Sequence, residues 1–153
     1  MKTKGLRILD KSDHISSVKL EDILDKVSYG EDLCWCILWF DGVGVPQEAE
    51  FINDFQNQMN ELENGLLLSW EELKSLASKI DKIVDITILG AKSEQLLHFY
   101  ENSQQMYECC NITIEMIDST YWEVFSIDEP IIDALAKTFI KTMPLESNHQ
   151  IEW

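Results

Sequence analysis

The stretch "NITIEMIDSTYWEVFS", residues 111–126, has the pattern of two short β-strands joined by a tight turn. A three-residue loop pairs Ile117 with Tyr121 and sets Glu115 directly opposite Glu123. This register gathers apolar side chains on one face of the hairpin, namely Ile112, Ile114, Met116, Trp122 and Val124. A two-residue loop would set Glu123 opposite an apolar residue and mix the two faces. The segregation therefore predicts a hairpin with the three-residue loop.

The two opposed glutamates are a candidate site, because like charges directly opposite on adjacent strands destabilise a hairpin. Glu115 and Glu123 could act as a general acid and base, but the aromatic and amide residues of a sugar-binding cleft are not identifiable. They could bind a hard cation, but there is no Asp-x-Asp-x-Asp-Gly loop. They could also receive a lysine or arginine from a partner, with Tyr121 alongside, or simply be solvated. The sequence favours these last two interpretations equally.

Hydrophobic periodicity predicts further elements along the chain. It indicates helices over 17–27, 46–62, 70–80 and 129–142, and a short helix through Leu96, Leu97 and Tyr100. Ser69 and Glu72 form a capping box at the start of the 70–80 helix. The run "LCWCILWF" (33–40) predicts a strand buried on both faces, and "IVDITILG" (83–90) predicts an alternating strand. The helix over 129–142 is expected to direct a set of apolar residues inward: Ile132, Leu135, Ala136, Phe139 and Ile140.

These elements predict one α+β domain over residues 1–143. We expect a mostly antiparallel sheet with a C-terminal hairpin at about 111–126, packed by three to five helices. Neither an internal repeat nor a linker composition divides the chain. Pro144 ends the last helix, so residues 144–153 are expected to form a flexible C-terminal tail.

The charge is the dominant feature of the composition. The chain has 28 Asp and Glu against 12 Lys and Arg, a formal net charge of −16. Between Lys26 and Lys74 there is no Lys or Arg, whereas the segment holds ten acidic residues. Such a surface repels phosphates, so we expect no nucleic-acid or membrane partner. It suits a basic protein, which it would attract at long range.

No apolar run is long enough to span a bilayer, and no signal-peptide pattern is present, so the expected location is the cytoplasm. Cysteines in that compartment are reduced. A zinc site from Cys34-x-Cys36 and Cys109-Cys110 is conceivable, but zinc pairs usually have wider spacing and a patterned histidine. We therefore expect buried thiols and predict neither a metal nor a cofactor.

Tryptophan is abundant, with five residues in 153. Four of them lie in patterned elements and are expected in or near the core: Trp35, Trp39, Trp70 and Trp122. Any of these that is exposed beside acidic residues becomes a candidate for a protein interface.

Two segments together resemble a known class of protein: "GLLLSWEELKSLASKIDKIVDITILG" (65–90) and "CNITIEMIDSTYWEVFS" (110–126). In an acidic α+β domain they resemble the standalone immunity proteins of bacterial polymorphic toxin systems, of the contact-dependent inhibition and Rhs type. The resemblance covers roughly residues 33–140. It implies a non-enzymatic antitoxin that binds a cognate toxin domain, often a basic nuclease. Immunity proteins share no catalytic motif, so no residue role is carried over.

The binding surface expected from the residues themselves is acidic. It comprises Glu115, Asp118 and Glu123 of the hairpin, Glu50 and Asp54 of the 46–62 helix, and Tyr121 as an anchor. Two other functions stay open at this point: a small enzyme using Glu115 and Glu123 in a pocket, or a homo-oligomer with a structural or regulatory role. A deep pocket holding a carboxylate of raised pKa would favour the enzyme. A flat or gently concave acidic face would favour the inhibitor.

Overall fold

The computed structural model describes residues 3–148 and contains one large sheet with helices on both faces. Its strands are β1 (Lys4–Ile8), β2 (Lys11–Ser12), β3 (Ile15–Ser16), β4 (Cys34–Gly44), β5 (Leu66–Leu68), β6 (Ile80–Ala91), β7 (Ile112–Ile117), β8 (Tyr121–Ser126) and β9 (Thr142–Glu146). Its α-helices are α1 (Leu20–Leu24), α2 (Ala49–Met59), α3 (Trp70–Lys79), α4 (Ser103–Cys109) and α5 (Glu129–Thr138). The predicted single α+β domain is confirmed.

Seven strands form the sheet in the order β5-β4-β6-β7-β8-β1-β9, and every neighbouring pair is antiparallel. The hairpin lies inside it. Ile117 pairs with Tyr121 and Glu115 with Glu123, so the predicted register is confirmed. The three-residue turn begins with Asp118 and Ser119 at positive φ, 49° and 61°, a conformation that short polar residues tolerate.

The first face of the sheet is covered by α1, α2, α3 and α5, which bury the main hydrophobic core. Trp35 is stacked on Trp70 at 5.1 Å between ring centroids and donates its indole N–H to the Gly30 carbonyl at 2.8 Å. The predicted capping box is present at α3, where Ser69 Oγ accepts the Glu72 N–H and Glu72 Oε1 accepts the Ser69 N–H. Apolar residues of four helices therefore fix this face.

The second face is covered at one end only, by α4 and the segment before it. The Tyr107 ring is stacked on Phe125 at 3.8 Å, and Phe125 lies over Gly5, where a Cβ would come within 2.3 Å of its ring. Cys36 and Cys110 lie in the same cluster, and burial raises the pKa of both thiols to about 11. The expectation of buried thiols is confirmed for these two cysteines but is wrong for Cys109, which is exposed near the end of α4, and Cys34 is only partly buried.

Some helix predictions need correction. The short helix through Leu96, Leu97 and Tyr100 is wrong: Glu94–Leu96 is a 3-10 turn and α4 begins later, after the Asn102 cap. The 17–27 helix is limited to α1, and α5 ends at Thr138 rather than 142. Ile140, expected inward, is 97% exposed, because Asp10 accepts its N–H and that of Lys141 and turns the chain into β9.

The N- and C-terminal strands were not anticipated. Residues Thr142–Glu146 form β9, paired with β1 along its whole length, so the expected tail from 144 is wrong for residues 144–146. Pro144 is compatible with an edge strand, and Leu145 packs beside the second-face cluster. The last part of the expected tail, 149–153, lies outside the described residues.

Candidate functional site

One row of side chains crosses six strands on the second face, just beyond the part that α4 covers. Cross-strand pairing places the following residues in this order: Trp39, Thr87, Glu115, Glu123, Arg7 and Met143. We call these six residues the polar row. The neighbouring row on the same face lies two residues along each strand, or three on β4, where the register shifts between Ile37 and Trp39. This row is largely apolar: Cys36, Leu89, Thr113, Phe125, Gly5 and Leu145. On the second face, the polar row therefore lies directly beside a largely apolar row of side chains.

Glu123 in this row is fully buried and bound to Arg7. The Arg7 Nε and one terminal nitrogen each lie 2.8 Å from Glu123 Oε2, and the guanidinium carbon lies 4.5 Å from the Tyr121 ring centroid. The expectation that Glu123 is presented to a partner is therefore wrong. The cation and the flat aromatic contact are both present, but β1 of the same chain supplies the cation.

Glu115 is also buried, with a different set of neighbours. Its Oε1 accepts the Tyr107 hydroxyl at 2.8 Å, and its Oε2 lies 3.4 Å from the donating Thr87 hydroxyl. Burial raises the pKa of Glu115 to about 7; the Tyr107 bond opposes the rise and the Glu123 charge adds to it. A carboxyl group with this pKa changes its charge near neutral pH.

A shallow depression of about 300 Å³ opens over Thr87. Thr87 is short, and its neighbours in the polar row, Trp39 and Glu115, are longer side chains on either side. Trp39 is 46% exposed, although Trp35 on the same strand is 1% exposed. The prediction that β4 is buried on both faces is wrong at Trp39, because α4 does not reach it.

Two acidic residues, Glu115 and Asp85, line this depression. Asp85 Oδ1 accepts the N–H of Asp118 at 3.0 Å. Asp41 lies directly opposite Asp85 on β4, and its Oδ1 accepts a side-chain N–H of Gln56 from α2 at 3.3 Å. Within residues 3–148, no group of three or more His, Cys, Asp or Glu side chains is arranged to hold a metal ion. The border therefore provides negative charge without a metal-binding arrangement.

The six predicted partner-binding residues do not form one surface. Asp118 is exposed at the hairpin turn, and Tyr121 is half-buried beneath Arg7. Glu50 and Asp54 are exposed on α2, which packs on the first face through its own apolar side. Glu115 and Glu123 point to the second face and are buried. The pattern of acids along the sequence could not show that the sheet separates them.

The residues that sequence reasoning missed are Trp39, Asp41, Asp85 and Arg7. A signal for the first three existed, because Asp41 follows Trp39 at the strand period of two and shows that this side of β4 turns polar. Trp39 also meets the stated condition for an interface candidate, a tryptophan exposed beside acids. Arg7 had no local signal, since its role depends on β1 pairing with β8.

A larger cavity of about 580 Å³ lies elsewhere in the fold, lined by Tyr29, Asp32, Leu33, Lys92, Asn111, Ile127, Asp128, Glu129 and Pro130. Burial raises the pKa of Tyr29 there to about 12. Neither glutamate of the hairpin lines it, so the pocketed carboxylate pair expected of the enzyme alternative is not formed in this cavity.

No protein-family model, no curated protein and no solved structure matches this chain. In the part of the chain that the structure describes, no helix combines the length and apolar character needed to cross a membrane. Any functional proposal therefore depends on the geometry and charge of the residues described above.

Proposed function

We propose that this protein is a cytoplasmic, non-enzymatic immunity protein that binds and neutralises a cognate toxin domain with a basic, nuclease-type surface. The observation that carries the proposal is Trp39, an exposed tryptophan on an open sheet face, which lines one depression together with the carboxylate side chains of Asp85 and Glu115. Aromatic residues are enriched at protein interfaces, and the acidic residues favour a partner surface of positive charge.

The overall charge supports the same partner. A net charge of −16 on 153 residues produces a field that accelerates association with a basic protein and repels nucleic acid. A nuclease needs cations where it holds phosphate, so an acidic protein can cover that surface. The exposed acids of α2, Glu50 and Asp54, would contribute to this field at a distance rather than by direct contact with the open face.

Glu115 supports a second candidate function, acid–base catalysis, because its pKa of about 7 suits proton transfer near neutral pH. Its partner in the hairpin does not support it, since Glu123 is buried under Arg7. The depression beside Glu115 is also shallow compared with a typical substrate pocket. An enzyme would lose its catalytic activity on Glu115→Gln, whereas an inhibitor has no catalytic activity to lose and would show only a change in its affinity for the toxin domain.

The test is a co-purification with candidate toxin domains, beginning with the C-terminal domain of any large secreted protein encoded immediately upstream of this chain. We expect a tight complex that weakens as salt is raised, and rescue of growth when both are expressed in one cell. A non-cognate basic domain is the control and should be released at low salt. Absence of a complex and of rescue would remove the proposed function.

A further inference from the structure

We infer that the depression over Thr87 receives one lysine or arginine side chain of the basic partner, held between the Trp39 ring and the carboxylates of Asp85 and Glu115. The inference rests on the proposed function and deepens it, because it assigns the contact surface and the chemistry of the central partner residue.

The chain itself provides a template for this contact. In the polar row, the Arg7 guanidinium is bound to the Glu123 carboxylate and lies over the Tyr121 ring. On the other side of the hairpin, the same row holds a second carboxylate and a second aromatic ring, Glu115 and Trp39. None of the seven residues that line the depression is a cation: Trp39, Asp85, Ile86, Thr87, Glu115, Met116 and Ile117. A partner can therefore supply a cation to Glu115 and Trp39, as β1 supplies Arg7 to Glu123.

The dimensions agree with one cationic side chain. Neighbouring strands lie about 4.8 Å apart, so Trp39 and Glu115, two strands apart, are separated by roughly 10 Å at the backbone. A head group above Thr87 would lie within the ~6 Å range of a cation–π contact with Trp39. It would also lie beside Glu115 Oε2, which is 3.4 Å from the Thr87 hydroxyl. Asp85 is two residues from Thr87 on the same strand face, about 7 Å away.

The charges select a cation over other occupants. Asp41 and Asp85 are directly opposed, which is unfavourable until a positive charge lies between or beside them. An anion would add to this repulsion. An apolar side chain would exclude water from the carboxylates without satisfying them, which is costly. A lysine or arginine is the side chain that relieves the repulsion and also packs its stem against Trp39.

Proton release gives a further signature of the contact. The groups facing Glu115 are Tyr107 from α4, Thr87 from β6 and Glu123 from β8, the last already bound to Arg7 of β1. A cation beside Glu115 favours its ionised form. Binding near neutral pH would then release a proton from Glu115, whose pKa is about 7 in the unbound protein. The affinity is expected to fall as the pH is lowered below that value.

The experiment measures, by calorimetry with the full chain, the dissociation constant for an inactive variant of the toxin domain that the co-purification identifies. We expect Trp39→Ala to weaken binding about tenfold or more and Asp85→Asn about threefold to tenfold. Matched controls are Phe51→Ala, an aromatic exposed on α2, and Glu101→Gln, an exposed acid outside the site. Both should stay within about twofold of wild type. The wild-type enthalpy should depend on the buffer, and Glu115→Gln should abolish that dependence.

A second variant, Thr87→Arg, fills the depression with the chain's own cation. It should weaken the complex about a hundredfold while the protein stays folded by circular dichroism. The outcomes separate the two proposals. No wild-type complex would remove the proposed function and the inference with it. A wild-type complex that tolerates both Trp39→Ala and Thr87→Arg would remove the inference alone.

Discussion

The two faces of the sheet have the same strands but different coverings. On β4, Trp35 points to the first face, where it is stacked on Trp70 and 1% exposed, whereas Trp39 points to the second face and is 46% exposed. Both belong to one apolar run, "LCWCILWF". The two residues are four apart and would share a face in a regular strand, but a register shift between Ile37 and Trp39 puts them on opposite faces. Helices cover Trp35 on the first face, whereas α4 stops short of the polar row on the second. The irregularity in β4 and the coverage by distant elements together decide which tryptophan is available to a partner.

The largest expected effect comes from comparing these two tryptophans directly. Trp35→Ala removes a fully buried ring and its indole hydrogen bond, so the free energy of unfolding should fall by about 5 kcal/mol. Trp39→Ala should cost only about 1 kcal/mol, because half of its ring is already in water. Urea unfolding of both variants measures the difference. Equal losses would contradict the comparison between the faces.

Removing Arg7 tests the buried charge pair of the second face. Arg7→Met leaves the buried Glu123 carboxylate without the Arg7 guanidinium, and we expect the free energy of unfolding to fall by about 3 kcal/mol. The control is Lys4→Met on the same strand, where the pair with Glu129 is exposed. That change should leave the free energy of unfolding nearly unchanged, because water and salt screen an exposed ion pair.

A double variant sharpens this result. Arg7→Met combined with Glu123→Met replaces the pair by apolar side chains and should recover most of the stability that Arg7→Met loses. If the double variant were as unstable as Arg7→Met alone, the loss would come from packing rather than from an uncompensated charge.

The pH dependence of stability should come mainly from Glu115. The pKa of Glu115 rises from the usual 4.5 to about 7 in the folded protein. Burying the ionised carboxylate therefore lowers the free energy of unfolding fully above about pH 7, and this loss is absent well below about pH 4.5. This rise corresponds to about 3 kcal/mol as an upper limit. Glu115→Gln keeps an acceptor for the Tyr107 hydroxyl and should stabilise the protein by about 2 kcal/mol at pH 8.

At about pH 3 the same variant should match the wild type, since Glu115 is then protonated in both the folded and the unfolded states. Glu101→Gln, an exposed glutamate, is the matched control and should leave stability unchanged at either pH. Chemical unfolding at the two pH values measures both. A stability gain from Glu115→Gln that did not vary with pH would contradict the burial of an ionisable group.

The smallest effect concerns the opposed acids beside Trp39. Asp85→Asn keeps the oxygen that accepts the Asp118 N–H and removes the repulsion with Asp41, so it should stabilise the fold by about 0.5 kcal/mol. The gain should shrink as salt is raised, because these groups are partly exposed. A variant that is more stable yet binds less well is the expected signature of a functional contact. A salt-independent change would contradict the electrostatic origin.

Sequence reasoning predicted the fold class and the hairpin in detail, but the candidate site only in part. The hairpin register followed from alternation and turn length, both of which are local. The site did not, because Glu115 and Glu123 belong to the same register yet have different surroundings: Tyr107 from α4 faces one, and Arg7 from β1 binds the other. No local pattern contains that information.

The sequence by itself determined the elements whose signals lie within a few residues: the Ser69 cap of α3, the pairing of Glu115 with Glu123, and the acidic character of the surface. The tertiary structure decided which side chains water can reach. It placed Arg7 on Glu123 and left Trp39 uncovered. The physical reason is that hydrogen-bonded caps and strand alternation are short-range, whereas burial depends on elements far apart in the chain, here β1, α4 and β9.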